Sequence, residues 1–399
     1  MRLTTLTAGA ALVLVAATLA APAQEAVSTW RLFVADHGEP VVRAIDLETG
    51  DELGAFAVSS PAALYITESK AAVYAVQGAG GRVSVISSGL TFEDHGDHGD
   101  LEVANPELLD IAIEGDRPVH FVEHDGEIAV FFDGEGTAQL VTERDLLADD
   151  AAVRTFATAA PHHGVAAPVG DHILMSRPNV DDPTALPVGV DVFDAEGKPI
   201  GELHECPNLH GEATSGHTLA IACATGLLFV DEGAEGSQIS FLAYGEDLPE
   251  GKTTTLLGGV GLKYWLGNYG ADRVAIIDPA DEAPFRLVDL PTRRVHFVVD
   301  PARAGFAYVL TEDGVLNEID IVAGTISRSL AVTQPYSMDG EWSLPRPRIA
   351  AAGGEIAVTD PLEGTIHIVD TESFALDRDI PVEGMPYNIV ALGGSGESH

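Results

Sequence analysis

The stretch RPVHF at 117–121 recurs in outline as APHHG at 160–164 and CPNLH at 206–210. In each copy, a proline leads into a histidine at the head of a short apolar run. Successive histidines are 43 and 47 residues apart. This spacing is that of one β-propeller blade, about 40 to 50 residues. Because a repeat puts equivalent residues at equivalent points of neighbouring blades, the pattern predicts that these histidines meet in space. They are His120, His163 and His210.

The rest of the chain reads as short strands in groups of four. From Trp30 onward, alternating or fully apolar runs are separated by Gly, Asp, Asn and Pro, and no long segment has a helical period. We predict an all-β fold, a propeller of eight blades. Seven blades are the alternative, because the borders near 244–262 and 333–347 are weakly marked.

The two ends of the chain complement each other. The first group, 30–56, lacks an opening strand, whereas 387–392 is a strand without a blade. If the C-terminal strand completes the first blade, the ring closes and no sheet edge stays open. Several third strands also end in an aspartate whose carboxylate can accept from the N–H groups of the following turn. These are Asp46, Asp194, Asp278, Asp320 and Asp370.

Residues 1–23 have the parts of a secretory signal peptide. Arg2 gives a positive start, 10–20 is an apolar run, and Ala-Pro-Ala follows at 21–23. The run is shorter than the roughly 20 apolar residues that span a bilayer, and no later run approaches that length. We therefore expect a single propeller domain over 24–399, monomeric, exported to a periplasm and not inserted in a membrane.

The charge is strongly negative. The chain has 62 acidic and 21 basic residues, a formal net charge of −41. Nucleic acids and anionic membranes bind basic surfaces, so this balance excludes them as partners. Cations suit the charge better, although an acidic surface can also serve only to keep an exported protein in solution.

Only two cysteines are present, Cys206 and Cys223. An oxidising compartment permits them to pair. If a hairpin turns at 214–216, its antiparallel register places Cys206 opposite Cys223, and this predicts a disulfide. Two metal thiolates are the alternative, but no CxxC pair supports them.

The propeller places the repeated histidines at one mouth of the central channel. Each stands where the outer strand of one blade leads into the inner strand of the next. Three neutral imidazoles with a further ligand form the nitrogen-rich tetrahedral site that zinc prefers, so we predict zinc at His120, His163 and His210. His162 and His204 are possible further ligands, and His296 is a weaker candidate. The alternative is that these histidines only cap strands and bind loop backbone.

Another set of histidines lies at turns between first and second strands of the same three blades, on the opposite face. We consider a second metal site there, with solvated turn residues as the alternative. The set is His124, His172 and His217.

A third concentration of candidate ligands interrupts the second blade. After Glu93 the segment to Asp100 contains only Asp, His and Gly, so it cannot bury a core, and we expect a mobile insertion at about 88–107. Tracts of this kind bind transition metals. An acidic loop with incidental histidines is the alternative. The candidate ligands are Asp94, His95, Asp97, His98 and Asp100.

No catalytic motif competes with metal binding. The chain has no GxSxG, HExxH or P-loop sequence. Two other functions remain open: a metal-dependent propeller hydrolase or lactonase, which favours oxygen ligands for calcium or magnesium, and an interaction propeller with incidental histidines.

The HGDHGD sequence at 95–100, the histidine-headed strands and the secreted propeller resemble the AztD family of periplasmic zinc metallochaperones. The resemblance covers the mature chain in architecture. It implies a protein that is not an enzyme, that binds zinc and that transfers zinc to the solute-binding protein of a zinc ABC transporter. The specific likeness lies in the loop and in His120, His163 and His210.

Overall fold

The computed structural model describes residues 26–94, 99–182, 184–233, 236–337 and 344–397. Over these ranges the chain forms eight antiparallel blades of a β-propeller, so the prediction of eight rather than seven is confirmed. Seven sheets have four strands, and one has six because an extra hairpin joins it. The predicted signal peptide lies outside the described residues.

The strands are β1 (Ala26–Asp36), β2 (Val41–Asp46), β3 (Glu52–Ala57), β4 (Ala63–Ile66), β5 (Ala72–Gln77), β6 (Arg82–Ser87), β7 (Leu90–Asp94), β8 (Gly99–Val103), β9 (Glu107–Glu114), β10 (Pro118–His124), β11 (Glu127–Phe132), β12 (Thr137–Thr142), β13 (Arg154–Ala157), β14 (Ala166–Val169), β15 (His172–Arg177), β16 (Gly189–Phe193), β17 (Pro199–Glu205), β18 (Glu212–Ser215), β19 (Thr218–Ala222), β20 (Gly226–Gly233), β21 (Gly236–Ala243), β22 (Leu256–Leu257), β23 (Trp265–Asn268), β24 (Arg273–Ile277), β25 (Phe285–Asp289), β26 (Arg294–Val299), β27 (Phe306–Thr311), β28 (Val315–Asp320), β29 (Thr325–Ala331), β30 (Ile349–Ala352), β31 (Glu355–Asp360), β32 (Thr365–Asp370), β33 (Ala375–Pro381) and β34 (Pro386–Glu397).

Burial explains why the middle strands are apolar at nearly every position. β5 is buried throughout, because each face of a blade packs against a neighbouring blade. Tyr74 and Val85 of one blade, for example, pack against Ile128 and Val130 of the next. Outermost strands instead alternate between exposed and partly buried residues, as β29 does. The core therefore lies between blades, and this fixes each blade relative to its neighbours.

The C-terminal strand closes the ring as predicted. β34 pairs antiparallel with β1, from Ala26 opposite Glu397 to Ala35 opposite Asn388. The order in this blade is β34, β1, β2, β3, so the end of the chain supplies the innermost strand. This leaves β1 without an open edge.

The predicted aspartate turns are present. Each of the five aspartates accepts a hydrogen bond from a backbone N–H of its turn, over 2.7–2.9 Å. Two short helical segments, α1 (Glu143–Leu147) and a 3-10 turn at Pro301–Arg303, were not expected. They are too short to leave a periodic pattern in the sequence. Among the described residues, no helix has the length and apolarity needed to cross a membrane.

The insertion in the second blade, predicted as a mobile segment at about 88–107, contains two strands. β7 and β8 form an antiparallel hairpin between β6 and β9, and Asp100 pairs with Glu397 of β34. Leu90 and Leu101 are buried in the core. The apolar residues flanking the Asp/His/Gly tract thus join this stem to the core of the first two blades.

The disulfide between Cys206 and Cys223 is present, with Cα atoms 4.9 Å apart, but the predicted register is wrong. In the structure Glu212 lies opposite Ile221 and Ser215 opposite Thr218. The hairpin therefore turns later, at 216–217. The cysteines lie beyond its open end, where 206–211 forms a link rather than a strand.

Candidate metal centre

Three histidines converge on one face of the propeller, which we call the top face. It carries the links between blades and the turns between second and third strands. His120 is the third residue of β10, His163 lies in the link before β14, and His210 lies in the link before β18. Three successive blades thus present one histidine each, as the repeat predicts.

The three rings are close together. Their centroids are 4.9 Å apart for His120 and His163, 5.3 Å for His163 and His210, and 6.3 Å for His120 and His210. The Nε2 atoms of His120 and His163 are 3.4 Å apart. Two nitrogen ligands of a tetrahedral zinc ion, each at about 2.0–2.1 Å, are about 3.3 Å apart. This pair already has the separation that zinc requires.

The other ring nitrogen of each histidine has a fixed partner. His120 Nδ1 lies 2.8 Å from Glu212 Oε1, His163 Nδ1 lies 2.7 Å from Asp133 Oδ2, and His210 Nδ1 lies 2.8 Å from the carbonyl of Thr254. All three partners are acceptors, so Nδ1 carries the proton in each ring. The Nε2 lone pairs are then free to bind a metal, which is the usual arrangement around metal-ligating histidines.

The carboxylate of Glu212 dominates the electrostatics of the site. Burial opposes protonation of His120, but the charge and hydrogen bond of Glu212, together with the charge of Asp133, outweigh burial and raise the pKa of His120. Burial likewise opposes ionisation of Glu212, yet the adjacent His120 lowers the pKa of that carboxyl. The Oε2 atom of Glu212 is buried and has no hydrogen-bond partner in the described part of the chain. The site therefore holds an ionised carboxylate that a cation would stabilise.

His120 and His163 face each other through Nε2. When both rings are neutral, their Nε2 lone pairs repel each other unless a proton or a metal ion lies between them. Within the described ranges, no three His, Cys, Asp or Glu side chains already surround a common point as ligands of a metal do. The third ring, His210, lies farthest from His120, so it must approach for all three nitrogens to bind one ion.

The further candidates do not join this cluster. His162 is buried, its Nδ1 contacts the carbonyl of Ala160, and its Nε2 contacts Ser176 Oγ. Both of its nitrogens are thus occupied. His204 lies on β17, the outermost strand of its blade, opposite Val190 of β16. His296 lies two blades away, and its Nδ1 accepts from the N–H of Ile349; burial, together with Arg348, lowers its pKa.

Two of the second set of histidines are neighbours on the opposite, bottom face. His124 Nδ1 lies 3.3 Å from Asp125 Oδ2, and His217 Nδ1 lies 3.5 Å from Asp125 Oδ1. His172 instead contacts Ser237 Oγ at 2.8 Å. A second metal site at His124, His172 and His217 stays a prediction; the structure brings His124 and His217 together beside Asp125 and places His172 against Ser237.

The loop ligands are only partly described. Asp94 ends β7 and Asp100 lies in β8, whereas His95, Asp97 and His98 lie outside the described residues. Because the hairpin follows β6, a third strand, its roots lie on the bottom face, opposite the three histidines. This matches the placement expected from the sequence.

The sequence analysis missed the residues that orient the ligands. Asp133 lies at the second turn of its blade and contacts both His163 Nδ1 and the N–H of Gly164. Glu212 follows His210 by two positions but binds His120 from two blades away. Position relative to the repeat offered the only signal, since each lies at a blade end on the top face.

No protein-family model matches the chain. A curated relative, the zinc chaperone AztD of Citrobacter koseri, is 51% identical over 377 residues, which cover 94% of this chain and 90% of the relative.

Solved structures agree with this relationship. A crystal structure of Citrobacter koseri AztD has a TM-score of 0.92 and 51% identity, and covers 94% of this chain and 100% of that one. The apo form has a TM-score of 0.89 and 50% identity, over 93% and 99% of the two chains. The dihydro-heme d1 dehydrogenase NirN shares only the fold, with a TM-score of 0.58 and 14% identity over 91% of this chain and 74% of that one. At half identity across nearly its whole length, the chain belongs to the AztD family of zinc chaperones.

Proposed function

We propose that this protein is a periplasmic zinc chaperone that holds one zinc ion through Nε2 of His120, His163 and His210. The observation that carries the proposal is the shared arrangement of the three neighbouring rings, each with Nδ1 bound to an acceptor, and with the Nε2 atoms of His120 and His163 3.4 Å apart. As a member of a chaperone family, the protein handles zinc as cargo and is not an enzyme. The hydrolase and incidental-histidine alternatives lose their support.

The arrangement suits a site that binds tightly and still releases. Three nitrogen ligands leave a fourth position of a tetrahedral zinc ion open to water or to a ligand from another protein. The histidines lie at the ends of strands and in links, at the mouth of the channel. An acceptor can therefore approach the ion from the top face and replace its ligands one at a time. We propose the solute-binding protein of a zinc ABC transporter as that acceptor.

Single alanine substitutions at the three histidines test the site. Each of H120A, H163A and H210A should lower zinc affinity by at least about a hundredfold, because two imidazoles chelate poorly, while the β-sheet circular dichroism is unchanged. Competition with a chromophoric chelator measures the affinity. H37A is the matched control, since that histidine packs against Tyr387 and belongs to none of the candidate sites. Three variants that hold zinc like the parent would show that the site is elsewhere.

We further propose that the HGDHGD tract assists transfer rather than tight binding. Its stem is part of the folded sheet, so replacing only His95 and His98 by Asn is a cleaner change than deleting the segment. The zinc content should be unchanged while transfer to the binding protein slows. Stopped-flow transfer at the parental rate would remove any role for the tract in delivery.

A further inference from the structure

The disulfide lies in the same link as one of the three histidines. Cys206 and His210 are both in the 206–211 segment between β17 and β18, and Cys223 directly follows β19. Both cysteines are fully buried in the core of this part of the propeller. The bond therefore fastens the His210 link to the second strand of its own blade.

The backbone of the 206–211 link is irregular, so its conformation depends on bonds to neighbouring strands. Asn208 has a φ of 52° and Gly211 a φ of 98°, both in the left-handed region. A Cβ atom at Gly211 would lie 2.6 Å from the carbonyl oxygen of Thr254, the acceptor for His210. The link is held by hydrogen bonds from His210 N–H to Ala222 O at 3.1 Å and from Ala222 N–H to Gly211 O at 2.9 Å. These bonds reach the strand end that carries Cys223.

His210 also has the weakest side-chain anchor of the three ligands. His120 and His163 each bind a carboxylate that is about nine-tenths buried, Glu212 and Asp133. His210 binds only a neutral carbonyl, and hydrogen bonds to charged groups are the stronger ones. The direction of the His210 ring thus depends mainly on the backbone of its link. His120 also lies at an irregular point of its strand, the register shift between Pro118 and Phe121, but the carboxylate of Glu212 holds its ring.

We infer that the Cys206–Cys223 disulfide positions His210 for zinc, so that tight zinc binding requires the oxidised pair. This inference rests on the proposed three-histidine site. Without the bond, the 206–211 link loses its covalent tie to β19, and His210 spends less time within reach of an ion held by His120 and His163. The protein then binds zinc as a two-histidine site with an intermittent third ligand. Changes to groups that orient metal ligands lower affinity by about 10- to 100-fold.

The test uses the full chain with both cysteines replaced, C206A/C223A. We expect zinc affinity to fall by about tenfold or more and zinc dissociation to accelerate, with the β-sheet circular dichroism retained. I368A is the control: Ile368 is fully buried in a core cluster that contains no residue of the link, so it destabilises the propeller elsewhere and should leave zinc affinity unchanged. If C206A/C223A does not fold, C206A/C223V restores more of the lost volume and is measured instead.

A positioning role is separated from general destabilisation by combining the changes. In an H210A background the cysteine substitutions should cause no further loss of zinc affinity, whereas in an H163A background the loss should persist. Parental affinity in C206A/C223A, or an equal loss in both backgrounds, would overturn the inference. Failure of the proposed site itself looks different, because H210A alone would then bind zinc like the parent.

Discussion

Replacing Glu212 by glutamine isolates the electrostatic part of the zinc site. The substitution keeps the shape of the side chain and an acceptor for His120 Nδ1, but removes the negative charge. Glu212 and His120 are only 11% and 17% exposed, so water does little to screen their interaction. Loss of an orienting carboxylate costs about 10- to 100-fold in metal affinity, or about 1.4–2.7 kcal/mol of binding free energy. We expect E212Q to bind zinc more weakly by this factor near pH 8.

The difference in zinc affinity between the parent protein and E212Q should become smaller as pH falls. Burial disfavours the imidazolium of His120, but Glu212 and, to a smaller extent, Asp133 outweigh burial and raise the pKa of His120. An imidazolium cannot bind zinc, so as pH falls the parent protein begins to lose affinity at a higher pH than an ordinary histidine site. E212Q lacks the group that raises this pKa, and its affinity falls only at lower pH. The gap between parent and variant should therefore narrow as pH falls from about 8 to about 5.5.

Chelator competition at several pH values measures both effects. E205Q is the matched control, because it removes one exposed carboxylate from the preceding strand and should shift neither the affinity nor its pH dependence. An affinity ratio between parent and E212Q that stays constant across this range would refute the reasoning. So would an E212Q protein with parental affinity at pH 8.

Two further predictions concern the fold. The carboxylate of Asp360, 3.6 Å from Nε2, raises the pKa of His367, burial opposes the rise, and Asp379, hydrogen-bonded to Nδ1, adds to it. The His367 contribution to stability is therefore full below the ordinary histidine pKa and is lost as pH rises through the raised value. His367→Gln should cost about 1–2 kcal/mol of unfolding free energy near pH 6 and less near pH 9, measured by urea titration; an equal cost at both pH values would contradict this. Truncation after Glu383 removes β34, which pairs along β1 and buries Ile389 and Leu392. No folded monomer should then elute in size-exclusion chromatography, whereas removal of 398–399 alone should be tolerated.

The blades could be predicted because their pattern is local. A strand such as β11 is apolar at almost every position, since it is covered on both faces, and turn residues separate it from its neighbours. The histidine cluster followed from the same repeat, because equivalent strand positions of adjacent blades converge at the channel. The register of the hairpin formed by β18 and β19 was not predictable in this way. It depends on left-handed residues at 208 and 211, which turn part of an expected strand into a link.

The orienting carboxylates also escaped the sequence, and their role shows why. Glu212 reaches His120 across two blades, a contact between residues 92 positions apart. Such a contact exists only once the ring has closed. The two carboxylates set the charge of the site. Three neutral imidazoles add no charge, while Glu212 and Asp133 place two negative charges directly behind the ligands. A zinc ion balances these two charges, whereas a single proton on His120 balances one. In the proposed site, the negative charge that raises the pKa of His120 is the charge that a bound zinc ion would neutralise.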